Sequence, residues 1–179
     1  MILKGIDLKK KIIQASLIAS TITLVGCATP LIAPDIIANV KKVESPYLKN
    51  SSLVEVDIDP KINNREKIDI KVKDSLELAL KNSNLFGTDA QHPYKITAQV
   101  LVASQAAVSF GNFEGKLGIK YTVFDDKGQQ IFQDTINTIA GSDLNPLAPG
   151  VARHTRSRAR NIALNVNEFV GKLETVLRK

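Results

Sequence analysis

Two amphipathic stretches and several alternating stretches follow one another along the chain. Between Ile68 and Leu80, apolar residues recur mainly in steps of four, which predicts a helix that buries one face. A second stripe of helical period lies close to Lys179 and predicts the last element. Its apolar members are Ile162, Val166, Phe169, Val170, Leu173 and Leu177.

Alternation of apolar and polar residues predicts strands in other parts of the chain. Ser52 to Ile58 forms the first, which Pro60 stops. Tyr94 to Val102 alternates most strictly and precedes a loop region with Gly111, Gly115 and Gly118. The face of this strand predicted to be buried consists of Tyr94, Ile96, Ala98, Val100 and Val102.

The next two strands are predicted to form a β-hairpin. Leu117, Ile119, Tyr121 and Val123 share one face of the third strand, and residues 130–139 form the fourth. Between them, residues 125–128 (Asp-Asp-Lys-Gly) have the composition of a turn with glycine in the last position.

The predicted order is therefore strand, helix, three strands, helix. Two amphipathic helices need one apolar sheet face to cover, so we expect an α+β fold: a two-layer sandwich of about four mainly antiparallel strands. Residues 51–179 form this single domain. Residues 27–50 contain Pro30, Pro34 and Pro46 and lack a lasting period, which predicts a tether. Within the tether, Ile36, Ile37 and Val40 allow a short segment to dock.

The N-terminal residues have the pattern of a bacterial secretory signal. Lysines at positions 4 and 9–11 precede an uncharged run, residues 12–25, and the motif Leu24-Val25-Gly26-Cys27 follows. The motif resembles the lipobox of bacterial lipoproteins. This resemblance implies that residues 1–26 are removed and that Cys27, whose thiolate is the nucleophile, carries three acyl chains. The alternative is a membrane-spanning anchor, but a run of 14 residues is shorter than the about 20 that a span requires.

Ala28 follows the cysteine, where aspartate is the usual signal for retention in the inner membrane. We therefore expect a lipid anchor in the outer membrane, with the domain on the periplasmic face. The whole chain has a net charge of +6. Without the four lysines and Asp7 of residues 1–26, 20 basic and 17 acidic residues remain, a net charge of +3. A charge this small, in the periplasm, argues against a nucleic-acid partner.

Residue types that perform catalysis are sparse. Cys27 is the only cysteine, and no HExxH, GxSxG or paired-cysteine motif occurs. His92, in a predicted loop, and His154 are expected to be solvated. Asp57 and Asp59 lack the further ligands of a calcium loop and are expected to be carboxylates at a strand end. We predict no enzyme, no metal and no cofactor. The three glycines at positions 111, 115 and 118 lack a Walker pattern and are expected to form a flexible connection.

Four arginines lie close together before the last apolar stripe, at positions 153, 156, 158 and 160, with His154 among them. If the helix begins near Gly150, these cations crowd the positive end of its dipole. Arg153, Arg156 and Arg160 also share one helical face. Either carboxylates such as Asp143 offset them, which makes this a solvated basic face, or the guanidinium groups bind an anion or an acidic partner.

Three further features resemble a family of small Gram-negative lipoproteins with this order of elements. They are residues 74–80 leading to Asn84-Leu85-Phe86, residues 121–126 with Gly128 and Phe132, and the arginine-rich helix start followed by Asn165-Val166 and Phe169. The similarity covers most of residues 52–177. It implies a periplasmic α/β module like those of envelope-assembly lipoproteins and carries over no catalytic residue. Some members have an acyltransferase label, but the hexapeptide repeats of acyltransferase β-helices do not occur here.

We therefore expect a non-enzymatic adaptor that is anchored to a membrane and binds an envelope protein. The alternative is binding of phospholipid or lipopolysaccharide head groups through the arginines, which a cavity lined by Phe110, Phe113 and Tyr121 would favour. A hydrolase or transferase is a third alternative, and it requires an apolar pocket with two or more acid/base groups.

Overall fold

A computed structural model of the chain describes residues 37, 39–105, 114–142, 144 and 147–178. The order of elements in these residues is the predicted one, and the α+β class is confirmed. The elements are β1 (Leu48–Ile58), α1 (Ile68–Ser83), β2 (Phe86–Gln105), β3 (Gly115–Phe124), β4 (Gln130–Ala140) and α2 (Gly150–Leu177).

The strands form a mixed sheet in the order β1-β2-β3-β4. β1 and β2 are parallel, and α1 makes the crossover that a parallel pair requires. The other two pairs are antiparallel. The predicted hairpin joins β3 to β4, where Asp125 Oδ1 accepts the backbone N–H groups of Lys127 and Gln129. Gly128 closes the turn with a φ of 79°, a conformation that favours glycine.

The hydrophobic core lies between the sheet and the two helices. Tyr121 on β3 stacks on Phe169 of α2 with ring centroids 4.2 Å apart, and Phe132 on β4 meets the edge of the Phe169 ring. The residues predicted for the inner face of α1 are all buried: Ile68, Val72, Leu76, Ala79 and Leu80. Neither α1 nor α2 is a candidate for spanning a membrane.

β2 differs from the prediction in two ways. It begins at Phe86, so that His92 lies in the strand and not in a loop. Its register against β3 shifts between Val100 and Val102, and this irregularity turns Val102 outward, with 43% of the residue exposed. The alternation predicted to bury Val102 is therefore wrong at its last position, because one extra residue reverses the faces of a strand.

Two of the three glycines expected in a flexible connection lie in a strand. Gly115 begins β3 and Gly118 lies within it, so the prediction is wrong for both; Gly111 is outside the described residues. Gly118 pairs with Val102, and a Cβ at position 118 would lie 3.3 Å from Val102 Cβ. The tighter contact of such a Cβ would be with Asn137 Oδ1 on β4, at 2.6 Å, so glycine at this position leaves room for side chains of both neighbouring strands.

The segment that leads into β1 is packed on the domain. Ile37 is fully buried, Val43 is nearly so, and β1 begins at Leu48 and not at Ser52. The Val43 N–H donates to Ser83 O at 2.9 Å, and Asn84 Nδ2 donates to Val43 O at 3.1 Å. The described part of this segment therefore passes around the C-terminal end of α1.

Candidate binding surface at the start of the C-terminal helix

Within the described residues, the first turn of α2 contains no side chain of its own that offsets the helix dipole. The helix begins at Gly150 after Pro149, no side chain caps its N-terminus, and no acidic residue lies in the first turn. Arg153 instead places a cation there, and its Nε donates to Ala148 O at 3.1 Å. A positive helix end with a cation beside it favours negatively charged neighbours or ligands.

Arg158 lies apart from the other three arginines. Only 5% of the residue is exposed, and its Nε lies 3.4 Å from Glu66 Oε2. Burial lowers the pKa of Arg158, whereas the charge and hydrogen bond of Glu66 oppose that change. The second carboxylate oxygen of Glu66 lies 3.5 Å from His154 Nδ1. Glu66 thus supplies negative charge to this part of α2, and Arg158 serves the packing of α2 near the start of α1.

Arg153, Arg156 and Arg160 are partly exposed and follow one another at spacings of three and four residues. Helical geometry directs them away from the side of α2 that carries the buried Ile162. All three also take part in interactions within the molecule. The structure therefore presents three of the four arginines toward the surface.

Exposed apolar side chains lie at the same end of α2. Leu147 and Val151 are 92% and 81% exposed. Further along α2, a shallow groove of about 310 Å³ is lined by Arg160, Leu164 and Ile139, together with Glu114 and Ser142. We call Arg153, Arg156, Arg160, Leu147 and Val151 the helix-start surface. Apolar area beside guanidinium groups is typical of interfaces, where arginine is enriched.

A row of polar side chains on α2, which the sequence interpretation missed, fixes the helix against the sheet. Ser157 Oγ donates to Ala140 O at 2.9 Å, and Asn161 Nδ2 donates to Gly115 O at 2.6 Å. Asn165 accepts the Tyr121 hydroxyl at 2.9 Å and donates to Ile136 O at 2.9 Å. Burial raises the pKa of Tyr121. The four-residue spacing of Ser157, Asn161 and Asn165, next to the apolar stripe, is the signal that was available in the sequence.

The remaining candidates occupy structural positions or lie outside the described residues. Cys27 is among the latter, as are Phe110 and Phe113. Tyr121 is fully buried in the core, so it does not line the lipid cavity suggested above. Asp59 Oδ1 accepts the Lys61 N–H in a turn. Within the part of the chain that the structure describes, no three His, Cys, Asp or Glu residues converge on a position that holds a metal.

No protein-family model and no curated protein matches the chain. Solved structures do resemble it. A DUF330 protein from Xanthomonas campestris has a TM-score of 0.57 at 10% identity, covering 76% of this chain and 91% of that one. A minor lipoprotein from Acinetobacter baumannii has a TM-score of 0.39 at 9% identity, covering 70% and 90%. Lipoprotein GNA1162 from Neisseria meningitidis has a TM-score of 0.37 at 11% identity, covering 72% and 96%. The Xanthomonas structure shares the fold of this chain.

Proposed function

We propose that this protein is a lipid-anchored lipoprotein of the Gram-negative envelope and a non-enzymatic binding module on the periplasmic face of the outer membrane. The observation that carries the proposal is the order of residues before Cys27: a basic head, an uncharged run and the lipobox pattern Leu24-Val25-Gly26-Cys27. The acyl chains implied at Cys27, of the palmitate kind, hold a protein at a membrane because each buried CH₂ contributes about 0.8 kcal/mol.

The docking of Ile37 limits how far the module reaches from its anchor. Ile37 lies ten positions after Cys27, and an extended chain spans at most about 3.3–3.6 Å per residue. The docking point at Ile37 therefore stays within roughly 35 Å of the lipid attachment, whereas a free tether of residues 27–50 would allow the start of the domain more than twice that distance. A short tether raises the effective concentration of the domain toward partners in or near the same membrane.

The helix-start surface is the part of the domain that we assign to a partner protein. Guanidinium groups such as those of its arginines suit planar, bidentate hydrogen bonds to a partner's carboxylates, and Leu147 and Val151 supply apolar area for burial. The partner expected from this chemistry is an envelope protein with an acidic surface around an apolar patch.

The anchor is tested by replacing residues 1–26 with a secretory signal whose cleavage needs no cysteine, combined with Cys27→Ser. We expect this protein to leave the membrane pellet after a carbonate wash, to incorporate no labelled palmitate and to melt like the wild type. Cys27→Ser behind the native signal is the control, since it keeps residues 1–26 and migrates as a larger band. Retention of the signal-exchanged protein in the washed membranes would contradict a lipid anchor at Cys27.

A second candidate function is recognition of anionic lipid head groups by the same surface. The observation that favours it is the pairing of arginines with highly exposed Leu147 and Val151, since basic surfaces with protruding apolar side chains bind anionic membranes. The two candidates differ in what the surface captures inside cells, and this difference decides between them.

A further inference from the structure

The two edge strands of the sheet, β4 and β1, differ in their contacts with the rest of the domain. At β4, side chains of α2 donate to backbone oxygens: Ser157 to Ala140 and Asn165 to Ile136. β1, the other edge, pairs with β2 on one side only among the described residues. The unpaired backbone groups of an edge strand are a template for a further strand.

The register shows which residues of β1 present their backbone to the open side. The Asp59 N–H donates to Val100 O, and the pairing with β2 is regular from Ser52 to Ile58. Because backbone groups alternate in direction along a strand, Leu53, Glu55 and Asp57 point theirs toward β2. Ser52, Val54 and Val56 therefore offer their N–H and C=O groups at the open edge.

We propose that β1 pairs antiparallel with β1 of a second copy of this chain, with the two Leu53 residues facing each other on the two-fold axis. Ser52 of each copy then exchanges backbone hydrogen bonds with Val54 of the other. Leu53, which is 49% exposed on the face of the sheet away from the helices, is covered by its counterpart.

The helix layer fits the same arrangement. A groove of about 370 Å³ between β1 and α1 is lined by Val54, Leu80 and Phe86, with Glu77 and Lys81 on its helical side. Strand pairing across the two-fold axis brings the two grooves together and sets the two α1 helices side by side and antiparallel. Helices in contact lie about 8–10 Å apart. In that orientation Glu77 of each copy faces Lys81 of the other.

Self-complementarity is the reason for assigning the edge to a second copy. Leu53 on β1 meets its own counterpart, and Glu77 and Lys81 on α1 are opposite charges that an antiparallel two-fold arrangement exchanges. A two-fold symmetric contact requires this property. If residue i of one copy meets residue j of the other, then residue j of the first copy also meets residue i of the second. The dimer is independent of the proposed function and leaves the helix-start surface open.

The test is disulfide trapping in the detergent-solubilised full-length chain. Leu53→Cys places two thiols in a non-hydrogen-bonded antiparallel pair with Cα atoms about 4.5 Å apart, a separation that a disulfide spans. Oxidation with diamide should give a reducible dimer in several-fold higher yield than Ile139→Cys, an exposed control on the opposite edge strand, or the wild type with Cys27 alone. Equal yields from the three proteins would overturn the proposal.

Charge reversal provides a second test. The mass of the detergent-solubilised protein is measured at several concentrations, which gives the dissociation constant of the dimer. Lys81→Glu places like charges across the axis and should raise the dissociation constant of the dimer at least about tenfold. Adding Glu77→Lys restores opposite charges and should restore the dimer. A wild type that remains monomeric at all concentrations, whether its β1 edge is bare or covered by another strand, would refute a β1–β1 dimer.

Discussion

Glu174 joins the C-terminal helix to the segment that arrives from the N-terminus. Its carboxylate is largely buried, accepts a hydrogen bond from Lys41 Nζ at 2.8 Å and also pairs with Arg178. The hydrogen bond from Lys41 lowers the pKa of Glu174, and Arg178 adds to this effect against the opposing contribution of burial. The ionised form of Glu174 therefore stabilises the docked segment.

This link predicts that docking depends on pH. Folding lowers the pKa of Glu174. The stabilisation of the docked segment by its ionised carboxylate is therefore fully present above pH 4.5, the ordinary pKa, and is lost as the pH falls through the lowered pKa. Glu174→Gln should remove it at neutral pH. We expect the Val43 amide, which donates to Ser83, to exchange its hydrogen several-fold faster in this variant. Asp134→Asn, which breaks a separate ion pair with Lys172, is the control; equal exchange in both variants would refute the link.

The position of Arg158 on its helix was predictable from the sequence, whereas its burial was not. Helical spacing alone groups Arg153, Arg156 and Arg160 on one face and separates Arg158 from them. Its ion pair with Glu66, 92 positions earlier in the chain, depends on how α1 and α2 pack. No local pattern encodes such a contact, so the burial of this guanidinium group was not predictable from its neighbours in sequence.

At the scale of elements, α2 is held by an apolar stripe and a polar row side by side. Leu173 is fully buried in the stripe. We expect Leu173→Ala to lower the free energy of unfolding by about 2–5 kcal/mol, because the cavity it leaves cannot collapse completely. Leu147→Ala removes the same atoms at an exposed position and should change stability by less than about 0.5 kcal/mol. Chemical denaturation of both variants checks the assignment, and similar values for the two would contradict it.

Alanine substitutions at two glycines form a second matched pair of stability tests. A Cβ at Gly87 would lie 2.0 Å from the backbone oxygen of Lys49, so Gly87→Ala must push β1 and β2 apart where they begin. We expect a loss of about 1–3 kcal/mol in the free energy of unfolding. A Cβ at Gly171, within α2, meets nothing within 4 Å, and Gly171→Ala should stabilise the helix by up to about 1 kcal/mol. A Gly87→Ala variant as stable as the wild type would show that the strands do not approach this closely.

The elements with strong periodicity were predictable, and the irregular ones were not. Both helices and the β3–β4 hairpin follow from spacing and from the turn that ends in Gly128, since local chemistry determines them. The beginning of β2 lacks alternation because its pairing with β1 is itself irregular there. The outward position of Val102 depends on a register shift against β3, which is a property of two strands and cannot be read from one.

For the whole molecule, the fold class was predictable from the order of elements along the chain, whereas the order of the strands within the sheet was known only from the structure. The docking of Ile37 was suggested by three apolar residues, but the burial of Ile37 and the contact of Val43 with the end of α1 were known only from the structure. The grouping of three arginines followed from their helical spacing, whereas the burial of Arg158 and the exposure of Leu147 and Val151 beside the group were known only from the structure.

We propose above all that the helix-start surface binds a partner at the membrane. This proposal is tested by a photoreactive amino acid at Val151 in the full-length chain, followed by purification from membranes and identification of captured proteins and lipids. The wild type is compared with a variant carrying Arg153→Gln, Arg156→Gln and Arg160→Gln. The control removes three exposed cations elsewhere, with Lys42→Gln, Lys61→Gln and Lys127→Gln.

We predict that the wild type and the lysine control capture the same envelope protein and that the arginine variant, with an unchanged melting temperature, loses it. Capture of anionic lipid in place of a protein, lost in the same variant, would establish the head-group alternative. Identical capture by all three proteins would contradict the account and leave the arginines as a solvated face of α2.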